Sequence, residues 1–103
     1  MNIRIFQIDP ECDHNRLFGE PYCFLKKQRL LPIDRSIYVK TFEGSVDAAN
    51  LEEVFYMFNE DIPAGYEGRS LSVSDVVEVV NSKLCKPGFY YCDRFGFKKV
   101  VFN

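Results

Sequence analysis

The sequence contains no tryptophan, a single histidine and only six glycines in its 103 residues. No Gly-x-Ser-x-Gly elbow and no cysteine-protease signature accompanies the one histidine, His14, so catalysis by a histidine-based triad is not expected. Walker and Gly-x-Gly-x-x-Gly loops are also absent, which leaves no glycine-rich cradle for phosphates. No run approaches the roughly 18 apolar residues of a membrane-spanning helix. The sequence therefore predicts no catalytic residue, no cofactor and no membrane span.

The four cysteines contain no CxxC pair, and the first residues lack the pattern of a secretory signal. This combination predicts reduced thiols and a cytoplasmic location. Cys12, His14 and Cys23 have the atom types of zinc ligands, but they lack the paired spacing of a structural zinc site. We therefore interpret this region as a solvated loop and predict no metal site. Cys85 and Cys92 bracket a predicted strand and are expected to be small buried apolar groups.

The length and the 47% hydrophobic composition fit one domain over residues 1–103. Ten phenylalanines and six tyrosines supply core volume without metals or disulfides. The net charge of −2 conceals an acidic middle segment, in which seven carboxylates occur without any Lys or Arg: Glu43, Asp47, Glu52, Glu53, Glu60, Asp61 and Glu67. We interpret this segment as a solvated helix face, and attraction of a basic partner is the alternative.

The first half of the chain predicts two strands and a short helix. Residues Asn2–Ile8 alternate in polarity as a strand does, with Ile3, Ile5 and Gln7 on one side. Tyr22–Leu31 is predicted to be a helix that stops at Pro32, and Ser36–Phe42 is rich in β-forming residues.

Asn50 is predicted to cap a second helix, with Glu53 returning the hydrogen bond. The apolar face of this helix is formed by Leu51, Val54, Phe55 and Phe58.

The second half predicts three strands. Val76–Val80 is almost continuously β-branched, which is typical of a central strand or one covered on both faces. Phe89–Cys92 and Phe97–Phe102 form a predicted hairpin around Asp93–Gly96, with a positive φ at Gly96. The order β-α-β-α-β-β-β predicts an α+β fold: a mostly antiparallel sheet of about five strands with two helices packed on one face.

Three serines, Ser70, Ser72 and Ser74, precede Asp75. Leu71 and Val73 alternate with them and are expected to face the core, while the hydroxyls face outward or bond the backbone. Asp75 is expected to accept backbone N–H bonds and fix the turn into the strand, so that its loss costs about 1 to 2 kcal/mol. A small enzyme that uses Asp75 or Asp93 is a weaker alternative, which requires a perturbed carboxylate in a pocket.

The C-terminal hairpin interleaves aromatic and basic residues. A nucleic-acid accessory domain that uses Tyr90, Tyr91, Arg94 and Lys98 is therefore an alternative function. The acidic total and the absence of a basic helix argue against nucleic acid as a partner. We favour an amphipathic edge hairpin.

Several motifs together resemble the YodL-like domain family of Firmicutes. They are Leu-Glu-Glu-Val-Phe at residues 51–55, Phe-Asn at 58–59, Gly-Arg-Ser-Leu-Ser-Val-Ser-Asp-Val-Val at 68–77 and Tyr-Tyr-Cys-Asp-Arg-Phe-Gly-Phe at 90–97. The chain departs from the family pattern at Arg69, Cys92 and Arg94, where His, Val and Ser are common. The resemblance implies a bacterial cytoplasmic domain, stand-alone or appended to large proteins of mobile genetic elements, and it supplies no catalytic residues.

We predict a non-enzymatic interaction or accessory module with an unidentified protein partner. The expected binding regions are the loop Gly65–Asp75 and the hairpin tip Asp93–Phe95. The candidate partner-binding residues are Arg69, Ser70, Ser72, Ser74, Asp93, Arg94 and Phe95, and the expected structural residues are Asn50, Glu53, Asp75 and Gly96.

Overall fold

The computed structural model describes residues 1–103 and contains one five-stranded antiparallel sheet with the strand order β2-β1-β3-β4-β5. The strands are β1 (Asn2–Ile8), β2 (Tyr38–Ser45), β3 (Val76–Asn81), β4 (Gly88–Cys92) and β5 (Phe97–Val100). The α-helices are α1 (Tyr22–Lys27) and α2 (Leu51–Glu60), and neither is long enough to cross a membrane. The predicted α+β class and the antiparallel five-stranded sheet are confirmed.

The two faces of the sheet carry separate hydrophobic clusters. Ile5 lies opposite Val77, and Phe6 lies opposite Val76, in the antiparallel register of β1 and β3. Because successive side chains of a strand point to opposite faces, these pairs belong to different sides of the sheet. Both faces of central strand β3 are therefore buried, which explains its nearly continuous run of valines.

Helix α2 covers the face that contains Ile5 and Val77, and its buried residues are Leu51, Val54 and Phe58. The Oδ1 atom of Asn50 accepts a hydrogen bond from the Glu53 N–H at 2.8 Å. The Ala49 N–H, one residue before the cap, donates a hydrogen bond to Glu53 Oε1 at 3.0 Å. The helix thus begins where the cap was predicted, although Phe55 stays 39% exposed beside the buried stripe.

Helix α1 and the loops around it cover the opposite face of the sheet. Buried Leu25 of α1 shares a cluster with Phe6, Ile8 and Val76. The prediction that both helices pack on one face is therefore wrong. The physical reason is that apolar residues occupy both sets of alternating positions in β1 and β3, so each face requires its own cover.

The first helix ends at Lys27 and not at Leu31, because Arg29 takes the left-handed conformation with φ 56°. The Leu30 N–H donates to the Leu25 carbonyl at 2.8 Å, and the Arg29 N–H donates to the Lys26 carbonyl at 3.3 Å. This pair of bonds is the Schellman ending of a helix, which usually has Gly at the left-handed position. With Arg there, the sequence gives no stop signal before Pro32.

The last residues of the chain leave the hairpin and pair with the segment after Pro32. The Ile33 N–H donates to the Val101 carbonyl, and the Asn103 N–H donates to the Ile33 carbonyl, both at 3.0 Å. Strand β5 consequently ends at Val100 and not at the predicted Phe102.

Arg35 covers three phenylalanine rings beside this pairing. Its Cζ atom lies 5.2 Å from the ring centroids of Phe6 and Phe89 and 5.1 Å from that of Phe102. These distances are typical of cation–π contacts, so a charged side chain shields part of an aromatic cluster from water.

Candidate functional site

The segment Ser72–Asp75 forms a tight turn that leads into β3. The Asp75 N–H donates to the Ser72 carbonyl at 3.0 Å, and the Ser72 N–H donates to Asp75 Oδ2 at 2.8 Å. The third residue of the turn, Ser74, has a φ of 86°, as a type II turn requires. The predicted strand-like alternation therefore stops before the turn, where Val73 is only half-buried.

Ser74 is buried, although it was predicted as a candidate partner-binding residue. Its Oγ accepts a hydrogen bond from the Gly19 N–H at 2.9 Å, and its carbonyl accepts one from the Tyr38 hydroxyl at 2.7 Å. Both contacts come from segments that pack over the turn. Ser74 therefore belongs to the interior, whereas Ser70 is exposed and Ser72 is half-buried.

Asp75, the last residue of this turn, has a fully buried carboxyl group. Its Oδ2 also accepts a hydrogen bond from Gln7 Nε2 at 3.0 Å, while Oδ1 has no partner. Burial raises the pKa of Asp75 to about 6, against the lowering effects of the Ser72 N–H, the Gln7 amide and the Arg69 charge. Asp75 lines none of the five main cavities, so this perturbed carboxyl is not placed in a pocket.

Gln7 is a structural residue of this site whose role is not evident from the sequence pattern. Besides its bond to Asp75, its Nε2 donates to the Arg69 carbonyl at 2.9 Å, and its Oε1 accepts from the Arg69 N–H at 3.1 Å. One buried amide thus fastens the loop before the turn to strand β1. The available signal was the polar Gln7 at the third position of the otherwise apolar series Ile3, Ile5, Gln7.

The second tight turn, Asp93–Gly96, joins β4 to β5. The Asp93 N–H donates to the Gly96 carbonyl at 2.9 Å, and Gly96 has the expected positive φ, 78°. Asp93 Oδ1 accepts hydrogen bonds from the N–H groups of Tyr22 at 3.1 Å and Arg94 at 2.9 Å. Because Tyr22 is the first residue of α1, this carboxyl group also satisfies a free N–H at the start of that helix.

The tip of the hairpin is exposed. Phe95 is 92% exposed, and Arg94 beside it is also exposed. A cleft of about 150 Å³ separates the hairpin from α2, and its lining includes Glu52 and Phe55 from the helix and Arg94 from the hairpin. Tyr56 of α2 is 63% exposed. This side of the molecule therefore combines exposed aromatic rings with carboxylates.

A model of the YodL-like domain family matches residues 2–102. The chain belongs to this family. The match includes every strand, both helices and both tight turns of this YodL-like domain. No curated protein and no solved structure is matched by the chain.

The predicted aromatic and basic platform is not assembled in this YodL-like domain. Tyr90 and Tyr91 are consecutive in β4 and point to opposite faces of the sheet. Tyr91 is buried, and its hydroxyl donates to the Glu20 carbonyl at 2.6 Å. Tyr91 therefore cannot form one stacking surface with Tyr90, Arg94 and Lys98.

The cysteines of the YodL-like domain are separate free thiols. Cys12 contacts Asp9 Oδ2 through its Sγ at 3.8 Å, and Cys23 is exposed. No three His, Cys, Asp or Glu side chains come together with His14 or elsewhere to hold a metal ion. Cys92 is buried, which raises the pKa of its thiol to about 12, whereas Cys85 is only half-buried.

Proposed function

We propose that this YodL-like domain is a non-enzymatic protein-interaction module that binds its partner through the hairpin tip and the adjacent surface of α2. The observation that carries the proposal is the 92% exposure of Phe95 at the centre of a hydrogen-bonded turn. A phenyl ring held in water is unfavourable for the isolated domain and becomes favourable once a partner buries it.

The turn presents Phe95 from a fixed backbone. Its base is held by the Asp93–Gly96 hydrogen bond and by the bond from the Tyr22 N–H to Asp93 Oδ1. A preorganised loop loses less conformational entropy on binding than a mobile one. Rigid aromatic side chains of this kind are common anchors in protein interfaces.

Charge on the neighbouring helix indicates the chemistry of the partner. Glu52 and Glu53 are exposed in the first turn of α2, and the acidic segment from residue 43 to residue 67 contains no basic residue. The surface therefore suits a partner that has an apolar pocket for Phe95 with Lys or Arg on the side that faces α2. We place the module in the cytoplasm of a Firmicute, in proteins associated with mobile genetic elements.

The loop Gly65–Asp75 has a smaller part in this surface than the sequence predicted. Its last residues, Ser74 and Asp75, are interior, and only Arg69 and Ser70 among its candidates are fully on the surface. We therefore centre the partner surface on Asp93, Arg94 and Phe95.

Site-specific photo-crosslinking tests the proposal. A benzoylphenylalanine at position 95 is expected to form a discrete adduct with one protein in a Firmicute cytoplasmic extract. Position 84 is a matched control, because Leu84 is another apolar side chain on an exposed loop, at 80% exposure. An excess of the unmodified domain is expected to suppress the adduct by competition. An excess of the Phe95→Ala domain is not expected to suppress it. Identical adducts from both positions, or none from position 95, would contradict the proposal.

A further inference from the structure

An open concavity of about 580 Å³ lies between the loop that follows β1 and the loop that precedes β3. It is lined by Pro10, Asp13, Arg16, Phe18 and Arg69. Neither arginine takes part in any of the three ion pairs of the molecule. Two cations therefore share one concave surface with a single carboxylate, and the side chains that line it carry a net positive charge.

Arg69 is held in place by contacts that leave most of its donors free. Its Nη2 donates to the Ile8 carbonyl at 3.0 Å, and its Cζ lies 5.0 Å from the centroid of the Phe18 ring. Gln7 fixes the Arg69 backbone through both its N–H and its carbonyl. A guanidinium has five N–H donors, and only one of those of Arg69 has an acceptor within the protein.

Arg16 occupies an unusual backbone position in the same concavity. Its φ is 54°, a left-handed conformation that is unfavourable for a residue with a side chain of this size. The loop is held by Asp13, whose Oδ1 accepts from the Leu17 N–H at 2.7 Å and whose Oδ2 accepts from the Phe18 N–H at 3.0 Å. Both oxygens of this carboxylate thus bind the backbone, and the Arg16 guanidinium has no hydrogen-bond partner in the protein.

We propose that this concavity binds a phosphate monoester that carries a planar ring. Guanidinium groups present parallel N–H donors that match phosphate oxygens. The Arg69 guanidinium covers part of the Phe18 ring. Because Phe18 is 51% exposed, the rest of the ring remains available to contact the aromatic ring of a ligand. The volume of about 580 Å³ lies within the usual range for small-molecule sites.

Titration by two-dimensional amide NMR at low ionic strength tests this site with four probes: AMP, phenyl phosphate, inorganic phosphate and adenosine. A comparison of AMP with phenyl phosphate shows whether the site binds a nucleotide or a phosphate ester with a smaller ring. At least one of them is expected to bind about tenfold more tightly than either inorganic phosphate or adenosine, because both halves of the ligand contribute to its affinity. The shifts are expected at the amides of residues 13–18 and 69–70.

Variants of the two arginines give the second arm of the test. Arg16→Gln and Arg69→Gln are each expected to lower the affinity for that ester about tenfold or more. Arg29→Gln is the matched control, because Arg29 is also an exposed arginine with a left-handed backbone, φ 56°, but it does not line the concavity. This control is expected to bind like the unmodified chain. If Arg69→Gln fails to fold, Arg16→Gln decides, because the Arg16 side chain makes no hydrogen bond that the fold requires.

Four results with these ligands and arginine variants would overturn the proposal. They are the absence of a saturable shift with both esters, equal affinity for adenosine and the esters, equal affinity for inorganic phosphate and the esters, and equal losses in Arg16→Gln and Arg29→Gln. Phe18→Leu is expected to remove the advantage of the ring-bearing esters over inorganic phosphate. Retention of that advantage in Phe18→Leu would also contradict the proposed site.

Discussion

The turns Ser72–Asp75 and Asp93–Gly96 are neighbours at one end of the sheet, yet one is buried and the other is exposed. Backbone hydrogen bonds connect them, from the Ser74 N–H to the Cys92 carbonyl at 2.9 Å and from the Cys92 N–H to the Asp75 carbonyl at 2.8 Å. Each turn has an aspartate that accepts backbone N–H bonds and one residue with positive φ. The buried turn consists mainly of polar residues, and the exposed one presents Phe95.

The difference shows that composition alone does not determine which segment is buried. The first turn is covered by the segments around Gly19 and Tyr38, and each of its buried side-chain polar atoms except Asp75 Oδ1 has a hydrogen-bond partner. Nothing comparable covers Phe95. A turn that is covered becomes part of the core, whereas a turn that is not covered remains available for binding.

The largest expected difference between the two turns is in the pH dependence that each gives to the free energy of unfolding. Burial raises the pKa of Asp75 from its ordinary value of 3.8 to about 6, so the folded state binds this proton more tightly than the unfolded state does. The resulting stabilisation is complete below about pH 4 and is lost as the pH rises through about 6, with a magnitude of about 3 kcal/mol or less. Urea unfolding of the unmodified chain and of Asp75→Asn between pH 4 and pH 7 measures it. If the difference in free energy of unfolding between the two proteins stayed constant over this range, the raised pKa of Asp75 would be contradicted.

Removal of the Asp75 carboxyl group tests the buried turn directly. Asp75→Ala removes the acceptor of the Ser72 N–H and one of the acceptors of the Gln7 amide, and it is expected to lower the free energy of unfolding by about 2 kcal/mol at pH 5. Denaturant titration provides the measurement. Ser70→Ala, at an exposed position in the same motif, is the control and is expected to change the stability by less than about 0.5 kcal/mol. Equal effects of the two substitutions would contradict the structural role of Asp75.

In the exposed turn, stability is expected to depend more on the backbone conformation than on side-chain packing. Gly96 has a φ of 78°, and no atom lies within 4 Å of the position that a Cβ would occupy. Gly96→Ala is therefore expected to cost about 1 kcal/mol through backbone strain alone. Gly96→Asn is expected to cost less, because Asn tolerates the left-handed region. Thermal unfolding of both variants measures the two losses of stability. A larger loss for Gly96→Asn than for Gly96→Ala would refute this explanation.

The smallest expected effect on stability belongs to Phe95→Ala. Because the ring is almost fully exposed, the free energy of unfolding is expected to change by less than about 0.5 kcal/mol. Partner capture through the hairpin is nevertheless expected to be lost. A loss of stability above about 1 kcal/mol would mean that the ring packs against the domain and is not a free anchor.

Features with local signals could be predicted from the sequence. Asn50 at the start of α2 is followed three residues later by Glu53, and the hydrogen bond from the Glu53 N–H to Asn50 Oδ1 is formed within one turn of helix. The positive φ at Gly96 follows from the need for a tight turn between β4 and β5. The central position of β3 could be predicted because the valines of the strand indicate cover on both faces.

Features that depend on distant contacts could not be predicted in the same way. The burial of Ser74 depends on Gly19 and Tyr38, which are far from it in the sequence. The opposite placement of α1 and α2 depends on the paths of long connections across the sheet. The pairing of Ile33 with the C-terminal residues has no local signal at either end. The two arginines of the concavity likewise come from loops that are more than 50 residues apart.

The hydrogen bond from the Tyr22 N–H to Asp93 Oδ1 links residues that are 71 positions apart and connects the first turn of α1 to the base of the hairpin. A hydrogen-bonded amide exchanges its proton for deuterium when the bond opens. Exchange at Tyr22 therefore records the movement of the hairpin from a site in another element. A partner that clamps Phe95 would slow this exchange, and one that draws the hairpin away from α1 would accelerate it. A single amide can thus distinguish the two modes of engagement without contacting the partner.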